Sequence, residues 1–305
     1  MKYTIDELKS LQKEAEKYTW YHSIKLADDV HTKSAIPHFK AKWDFMLDGM
    51  DHIDFKNKRV LDVGCRDGLF SFEAEKRGAK EIIGIDNDIS LGATNFLIPL
   101  FKSKVQMYEM NLFDLNPEKF GLFDVIIFYG VLYHLRYPVW GLKKLSSCLS
   151  DNGILLIESG MLVNKELENI DLLYCPVEDS PYEESSCTFF NKRGLETTMR
   201  SLNFKLLNYY TINQDKKFSL FKSFKFIVRR FIKYFKKIIG FQINISSDIS
   251  RQLFIFKKDI QMQLKLKNKQ KKHDDVQTYW NGVHNKSKKG YEKFNPSKTS
   301  TSNWR

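Results

Sequence analysis

From residue 58 onward, short apolar runs alternate with helix-length segments of mixed polarity, and this alternation limits the fold more than any other feature. A parallel strand that helices bury on both faces reads as a continuous apolar run. The pattern therefore predicts βαβ units and an α/β fold, with helices on both faces of a mostly parallel sheet. Seven runs are candidate strands, at residues 59–64, 81–86, 105–111, 123–130, 153–159, 205–211 and 251–258.

The two ends of the chain differ from this predicted core domain, which spans residues 56–258. Residues 1–55 contain two stretches with helical periodicity, and these predict an N-terminal helical cap or lid. Within the core domain, residues 213–250 form an insertion between the last two candidate strands, which we expect to pair antiparallel. Residues 259–305 are rich in Lys, Asn, Gln and Ser, and we expect them to form a mobile tail.

A glycine-containing turn follows the first candidate strand and leads into a helix-like segment. Glycines let the backbone approach a ligand closely, and a helix N-terminus presents N–H groups to it. The spacing D-x-G-x-x-x-G, which begins at Asp62, differs from the G-x-G-x-x-G that holds a pyrophosphate. Because Asp62 has no good role against a diphosphate, it favours a cofactor with a cationic amino-acid part. Asp67, in the same turn, is expected to cap the following helix.

These residues, with Asp86 at the end of the second candidate strand, resemble the ordered motifs of class I S-adenosylmethionine-dependent methyltransferases. The resemblance implies a Rossmann-like fold, a seven-stranded sheet and S-adenosyl-L-methionine as cofactor. It assigns the ribose hydroxyls to Asp86, the adenine amino group to Asn111 and an adenine ring nitrogen to the backbone N–H of Leu112. Arg66 replaces the family's middle glycine, so its side chain must turn away from the cofactor or narrow its site. The predicted cofactor-binding residues are Asp62, Gly64, Cys65, Gly68, Asp86, Asn87, Asn111, Leu112, Tyr129 and Lys42.

Within this superfamily, residues 20–210 resemble most closely the enzymes that carboxymethylate the wobble uridine of tRNA. The resemblance rests on GVLYH at residues 130–134, followed by a proline, and on the segment 20–33. In those enzymes the Tyr of GVLYH and a Lys before Trp-Asp help to hold the extra carboxylate of a carboxylated cofactor. Tyr133 and Lys42 match these positions. The other cofactor-gripping residues match only in part, so ordinary methyl transfer is favoured over carboxymethyl transfer.

Methyl transfer is an in-line displacement at a sulfonium carbon, so the protein mainly holds the acceptor close and aligned. A general base helps if the acceptor is a hydroxyl or an amine, and His134 is the candidate because imidazole titrates near neutral pH. A structural role at the start of the next helix is the alternative for His134. His22 is expected to lie at the surface or to contact the lid. The candidate catalytic residues are Tyr133 and His134, and the guessed substrate contacts are Tyr21 and Trp43.

The net charge of +12 is concentrated in residues 213–305, which hold 23 Lys and Arg against 6 Asp and Glu. Within them, residues 218–241 predict an amphipathic helix with Phe and Ile on one face and Lys and Arg on the other. Such a helix fits three uses: a lid packed on the domain, a peripheral contact with an anionic membrane, or tRNA binding. Because the aromatic and basic residues are segregated, the membrane is favoured over RNA.

The four cysteines form no CxxC pair and no metal-ligand cluster, and no signal core or membrane span is evident. We therefore predict no metal and a cytoplasmic protein, with the inner face of the membrane as a peripheral location. The acceptor stays open between a saccharide, a lipid-linked glycan, a small metabolite and an RNA base. A non-catalytic interaction module is the alternative from another class, but the retained glycines and Asp86 favour an enzyme.

Overall fold

The computed structural model describes residues 3–176, 180–212, 249–259 and 261. Its strands are β1 (Lys25–Ala27), β2 (Val30–His31), β3 (Arg59–Val63), β4 (Glu81–Asp86), β5 (Gln106–Glu109), β6 (Phe123–Tyr129), β7 (Leu149–Leu162), β8 (Leu173–Tyr174), β9 (Phe189–Phe190), β10 (Phe204–Thr211) and β11 (Ile249–Lys258). The α-helices are α1 (Ile5–Ala15), α2 (Lys40–Met50), α3 (Leu69–Lys76), α4 (Ile98–Phe101), α5 (Pro117–Phe120), α6 (Pro138–Cys148) and α7 (Lys192–Ser201).

Seven of these strands form one central sheet in the order β10-β11-β7-β6-β3-β4-β5. The strands β3 to β7 are parallel to one another, whereas β11 runs antiparallel to both β7 and β10. This topology confirms the predicted Rossmann-like fold and the predicted antiparallel pair. The last strand begins at Ile249, two residues earlier than predicted, because Ile249 and Ser250 still pair with β7. The insertion therefore ends at residue 248 and not at 250.

Helices cover both faces of the sheet, as the sequence predicted. Successive side chains of a strand point to opposite faces, so each buried strand contributes to two separate cores. On one face, Val60 and Ile82 pack with α2 and α3. On the other face, Leu61 and Ile83 pack with α6 and α7.

The N-terminal cap contains the two predicted helices, and it shares the core of one sheet face. Thr4 and Glu7 form a capping box that begins α1, as this sequence pattern favours. Helix α2 lies close to β11, since a Cβ at Gly49 would lie 2.3 Å from a Leu253 methyl carbon. Between the two helices, β1 and β2 form a short hairpin where the sequence indicated only a polar break.

The predicted amphipathic helix at residues 218–241 and nearly all of the predicted tail lie outside the described residues. The residues that flank the insertion, Ile212 and Ile249, both lie at the edge of the sheet where β7 ends. Across the three described ranges, no helix is long and apolar enough to cross a membrane. The same residues include no group of three or more His, Cys, Asp or Glu that could hold a metal ion.

Candidate active site

A cavity of about 510 Å³ opens at the carboxyl edge of the sheet, and its volume lies in the range of small-molecule sites. Its walls are the residues that follow β3, β4, β5 and β6, together with the cap and the start of β11. The loops after parallel strands meet at this edge, which explains why residues far apart in sequence converge. The cavity brings together most of the predicted site residues: Tyr21, Lys42, Trp43, Gly64, Asp86, Asn87, Asn111, Leu112, Tyr129, Tyr133 and His134.

Three predicted cofactor residues, Asp62, Cys65 and Gly68, do not line this cavity. Asp62 is fully buried and accepts a hydrogen bond of 2.6 Å from the Ser71 hydroxyl. Cys65 is buried against Gly84, where an added Cβ would lie 2.8 Å from the Cys65 sulfur. Gly68 precedes α3 with a φ of 82°. The three residues stabilise the turn that follows β3 without lining the cavity. Their direct contact with the cofactor stays a prediction.

Burial of Asp62 predicts a distinctive pH dependence of stability. Desolvation raises the pKa of its carboxyl from 3.8 to about 7, although the Ser71 hydrogen bond opposes this. Between these values the folded state holds a proton that the unfolded state has lost, so the free energy of unfolding falls as pH rises. We expect Asp62→Asn to remove this dependence and to gain up to about 4 kcal/mol relative to wild type between pH 4 and 7. Urea unfolding at several pH values measures the difference, and parallel profiles would contradict it.

The turn that follows β3 is shaped for close approach of a ligand. Gly64 has a φ of 81°, and a Cβ there would lie 2.3 Å from a methyl carbon of Val131. Arg66, at the family's glycine position, turns its guanidinium along the wall to pair with the Asp88 carboxylate and to donate to the Asp88 carbonyl at 2.9 Å. Its backbone N–H donates to Asp86 Oδ2 at 3.0 Å. The backbone at residue 66, which a glycine would supply equally, thus helps to fix Asp86, whereas the arginine side chain binds Asp88.

The residues assigned to the nucleoside are held in positions that fit it. Asp86 accepts one N–H on each carboxylate oxygen, from Arg66 and from Asp88. A carboxylate oxygen has a second lone pair, so both oxygens can still accept a ribose hydroxyl. Asn111 and Leu112 begin a helical turn after β5, and the first N–H of such a turn has no acceptor within it. Asp86 and the Leu112 backbone therefore line the cavity with an acceptor and a donor that suit a nucleoside, and their assignment to ribose and adenine stays a prediction.

Asp67 does not cap α3, so this prediction was wrong. The N-cap position of α3 is Gly68, and no side chain caps the helix. The buried carboxylate of Asp67 instead accepts the backbone N–H groups of Tyr21 and His22, each at 2.7 Å. His22 is itself buried and packs against Trp43, so it is a lid contact and not a surface residue. The Asp67 carboxylate therefore connects the turn that follows β3 to the N-terminal cap.

Asp67→Ala is expected to release the cap from this turn. The variant leaves two buried N–H groups without an acceptor, and hydrogen bonds to a charged group contribute about 1.5–3 kcal/mol each. We expect the free energy of unfolding to fall by about 3 kcal/mol or more, with faster proteolytic cleavage between residues 20 and 40. Asp44→Ala is the control, because it removes an exposed carboxylate of the same cap. Equal stability of the two variants would contradict the role of Asp67 in holding the cap to this turn.

Two cations, Lys42 and Arg251, also line the cavity, and both lie near the side chain of Tyr182. Arg251 is buried in an ion pair with fully buried Glu158, and its guanidinium carbon lies 4.7 Å from the ring centroid of Tyr133. Lys42 donates to the Tyr182 hydroxyl at 2.9 Å. The sequence had suggested Lys42 and Tyr133 here but missed Arg251, Glu158 and Tyr182.

His134 lines the cavity beside these residues and is held by the segment before β9. Its Nδ1 lies 3.1 Å from the carbonyl oxygen of Ser185. The Ser185 hydroxyl oxygen lies 3.2 Å from the same nitrogen and can also accept a hydrogen bond. Because the carbonyl oxygen can only accept, we assign the ring proton to Nδ1, which leaves a lone pair on Nε2. Burial lowers the pKa of His134, although the Ser185 carbonyl and Glu183 oppose this. The lowered pKa favours the neutral form of the ring, and Nε2 lies 4.0 Å from a carboxylate oxygen of Glu183.

The cavity at the carboxyl edge, the ribose carboxylate and the glycine turn agree with the comparison to known families. A family model described as a methyltransferase domain matches residues 40–209. The chain belongs to this methyltransferase family. The predicted methyltransferase domain is therefore confirmed, and S-adenosyl-L-methionine as its cofactor stays a prediction.

Two relatives illustrate the sequence likeness. The tRNA U34 carboxymethyltransferase of Helicobacter pylori (strain G27) is 33% identical over 138 residues, which cover 44% of this chain and 50% of the relative. That of Pseudomonas paraeruginosa (strain DSM 24068 / PA7) is 34% identical over 114 residues, or 35% of this chain and 34% of the relative. The chain thus matches half or less of the length of these relatives.

Two solved structures show the same fold. The N-terminal domain of EvdMO1, crystallised with S-adenosylhomocysteine and D-fucose, has a TM-score of 0.54 at 13% identity, covering 82% of this chain and 96% of that domain. The [4+2]-cyclase SpnF has a TM-score of 0.50 at 13% identity, covering 83% of this chain and 93% of that protein. At such low identity these likenesses describe the fold alone, and fold does not determine the substrate.

Proposed function

We propose that this methyltransferase modifies a nucleophilic hydroxyl or amine of a small acceptor, with His134 as the general base. The acceptor classes are a saccharide, a lipid-linked glycan and a small metabolite. The proposal rests on one observation: His134 lines the cavity and its Nδ1 lies 3.1 Å from the Ser185 carbonyl oxygen, which leaves Nε2 as the acceptor of the ring. The cofactor supplies an electrophilic methyl group when it is bound. The chain then has to align the acceptor, exclude water and take up one proton.

The N-terminal cap aligns the acceptor and excludes water. Trp43 is buried and Tyr21 partly exposed in the cavity wall, and their rings lie 6.3 Å apart. Both belong to the N-terminal cap, which Asp67 links to the turn that follows β3. The aromatic wall suits an acceptor with an apolar face, and it limits the access of water to the reacting atoms.

His134→Asn tests the proposed base. We expect kcat to fall by about 10²–10⁴-fold, with unchanged affinity for S-adenosylhomocysteine. The acidic limb of the pH profile should also disappear, because the imidazole of the wild type must be neutral to act and burial lowers its pKa. Formation of S-adenosylhomocysteine is measured with monosaccharides, nucleotide sugars, amino sugars and unfractionated tRNA, and product mass identifies the transferred group. Unchanged kcat in the variant would contradict the role of His134.

A second candidate function is carboxymethyl transfer to the wobble uridine of tRNA. It is favoured by Lys42, Tyr133 and Arg251, which line the cavity and all lie near Tyr182, since cations could hold an additional carboxylate there. The names of the relatives point the same way, but the matched segments cover half or less of their length. Titration with S-adenosylmethionine and its carboxylated form separates the candidates. A tenfold or greater preference for the carboxylated form, lost in Lys42→Met, would replace methyl transfer by carboxymethyl transfer.

The basic segment at residues 218–241 supports a separate proposal about location. Its sequence fits a lid packed on the domain, and it also fits a peripheral contact with an anionic membrane surface better than it fits RNA binding. Co-sedimentation with vesicles that contain or lack phosphatidylglycerol tests this contact, with unfractionated tRNA as a competitor. Binding only to the anionic vesicles is the expected result, and binding to neither would contradict it.

A further inference from the structure

The surroundings of His134 Nε2 restrict the chemical class of the acceptor. Glu183 Oε2 lies 4.0 Å from Nε2, and the side chains of Glu183 and His134 are both about one-third exposed. Because Nδ1 carries the ring proton, Nε2 and Glu183 are both hydrogen-bond acceptors. Two acceptors at this separation, one of them charged, leave a gap that a group with at least two polar hydrogens would fill.

An amine satisfies this requirement and a hydroxyl does not. A primary amine or ammonium can donate one N–H to Nε2 and another to the carboxylate, whereas a hydroxyl has a single hydrogen to give. We propose that the acceptor atom is the nitrogen of a primary amine, held between Glu183 and His134, of which His134 lines the cavity. This inference rests on the proposed methyl transfer and narrows its acceptor from a hydroxyl or amine to an amine.

The charges around the site favour a cationic amine. Glu183 raises the pKa of the His134 imidazole by more than Arg251 lowers it. Both nearby cations are already engaged, since Arg251 pairs with Glu158 and Lys42 bonds to the Tyr182 hydroxyl. Glu183 therefore supplies the negative charge that attracts an ammonium group, and it acts as a specificity-determining residue.

The group transfer then balances as follows. The bound ammonium gives one proton to Nε2 of His134 and becomes a neutral amine. Its nitrogen lone pair forms a bond to the methyl carbon while the carbon–sulfur bond breaks and its electron pair stays on sulfur. The products are a methylated ammonium and a neutral thioether, and the imidazolium returns its proton to solvent. Throughout the transfer Glu183 keeps one N–H of the substrate.

The test uses small probes on the full chain saturated with S-adenosylhomocysteine, and reads the His134 ring nitrogens by NMR. Methylammonium is the probe, and two molecules serve as controls. Methanol has a single polar hydrogen, and tetramethylammonium has the positive charge but no N–H. We expect methylammonium to shift the ring signals saturably, with a Kd of about 10 mM or weaker, near the limit for a ligand of two heavy atoms. Glu183→Gln should weaken this binding at least tenfold, and neither control probe should bind as well.

Three results would overturn the amine assignment: no saturable shift, an equal response to methanol or tetramethylammonium, or unchanged methylammonium binding in Glu183→Gln. Glu183 is partly exposed, so its replacement is not expected to disturb folding. Saturation with S-adenosylhomocysteine is measured first. Failure at that stage would count against the proposed function, whereas failure with the amine alone would overturn only this inference.

Discussion

Asp86→Ala is expected to weaken binding of S-adenosylmethionine by about 100-fold or more. Each ribose hydroxyl loses a charged acceptor, and such hydrogen bonds contribute about 1.5–3 kcal/mol each. The variant also removes the acceptor of the Arg66 and Asp88 N–H groups, so the turn that follows β3 becomes less rigid. Calorimetric titration measures the loss.

Asp86→Asn is the matched control for this prediction. The amide keeps one oxygen acceptor but loses the charge, so its affinity should lie between those of the wild type and of Asp86→Ala. Circular dichroism and thermal unfolding check that both variants are folded. An affinity within threefold of the wild type for Asp86→Ala would contradict the assignment of the ribose to this carboxylate.

Arg251→Met should be the most destabilising single change in the described part of the cavity. It leaves the fully buried Glu158 carboxylate without its partner, and breaking a buried ion pair in this way costs about 3–5 kcal/mol. It also removes the guanidinium that lies against the Tyr133 ring. Urea unfolding should therefore show a large fall in the free energy of unfolding.

A double variant separates the unpaired charge from the lost packing. Glu158→Leu with Arg251→Met replaces both charges by apolar groups, and such replacements of buried pairs are often close to neutral. We expect it to recover most of the stability that Arg251→Met loses, while activity stays low because the cavity has lost the guanidinium. A double variant no more stable than Arg251→Met would contradict the ion pair as the cause.

The central sheet could be predicted from sequence because its strands are buried on both faces and read as apolar runs. The boundaries were less certain: β7 begins at Leu149, four residues before the run 153–159, and β11 begins at Ile249. Both extensions are residues whose pairing depends on a neighbouring strand rather than on their own hydrophobicity.

Site residues that directly follow a strand were predicted, whereas those whose role depends on tertiary contacts were missed. Asp86 belongs to the first kind, because chain order alone places it at the carboxyl edge. Arg251 and Glu158 belong to the second, since they are diagonal neighbours on the antiparallel pair β11 and β7. A signal was present, because each is a charged residue within an otherwise apolar strand. Glu183 had no such signal, since only the fold carries its loop to His134.

The role of Asp67 was mispredicted for a similar reason. A carboxylate next to a helix start favours a cap, but here the cap segment at residues 20–22 supplies two backbone N–H groups from 45 or more positions away. No local pattern distinguishes these two uses of one side chain.

The measurement that tests the account most directly is calorimetric titration of the full chain with S-adenosylmethionine and with S-adenosylhomocysteine. The account predicts saturable binding of one molecule of each ligand per chain. Absence of saturable binding of either ligand would contradict the cofactor site and, with it, the proposed methyl transfer.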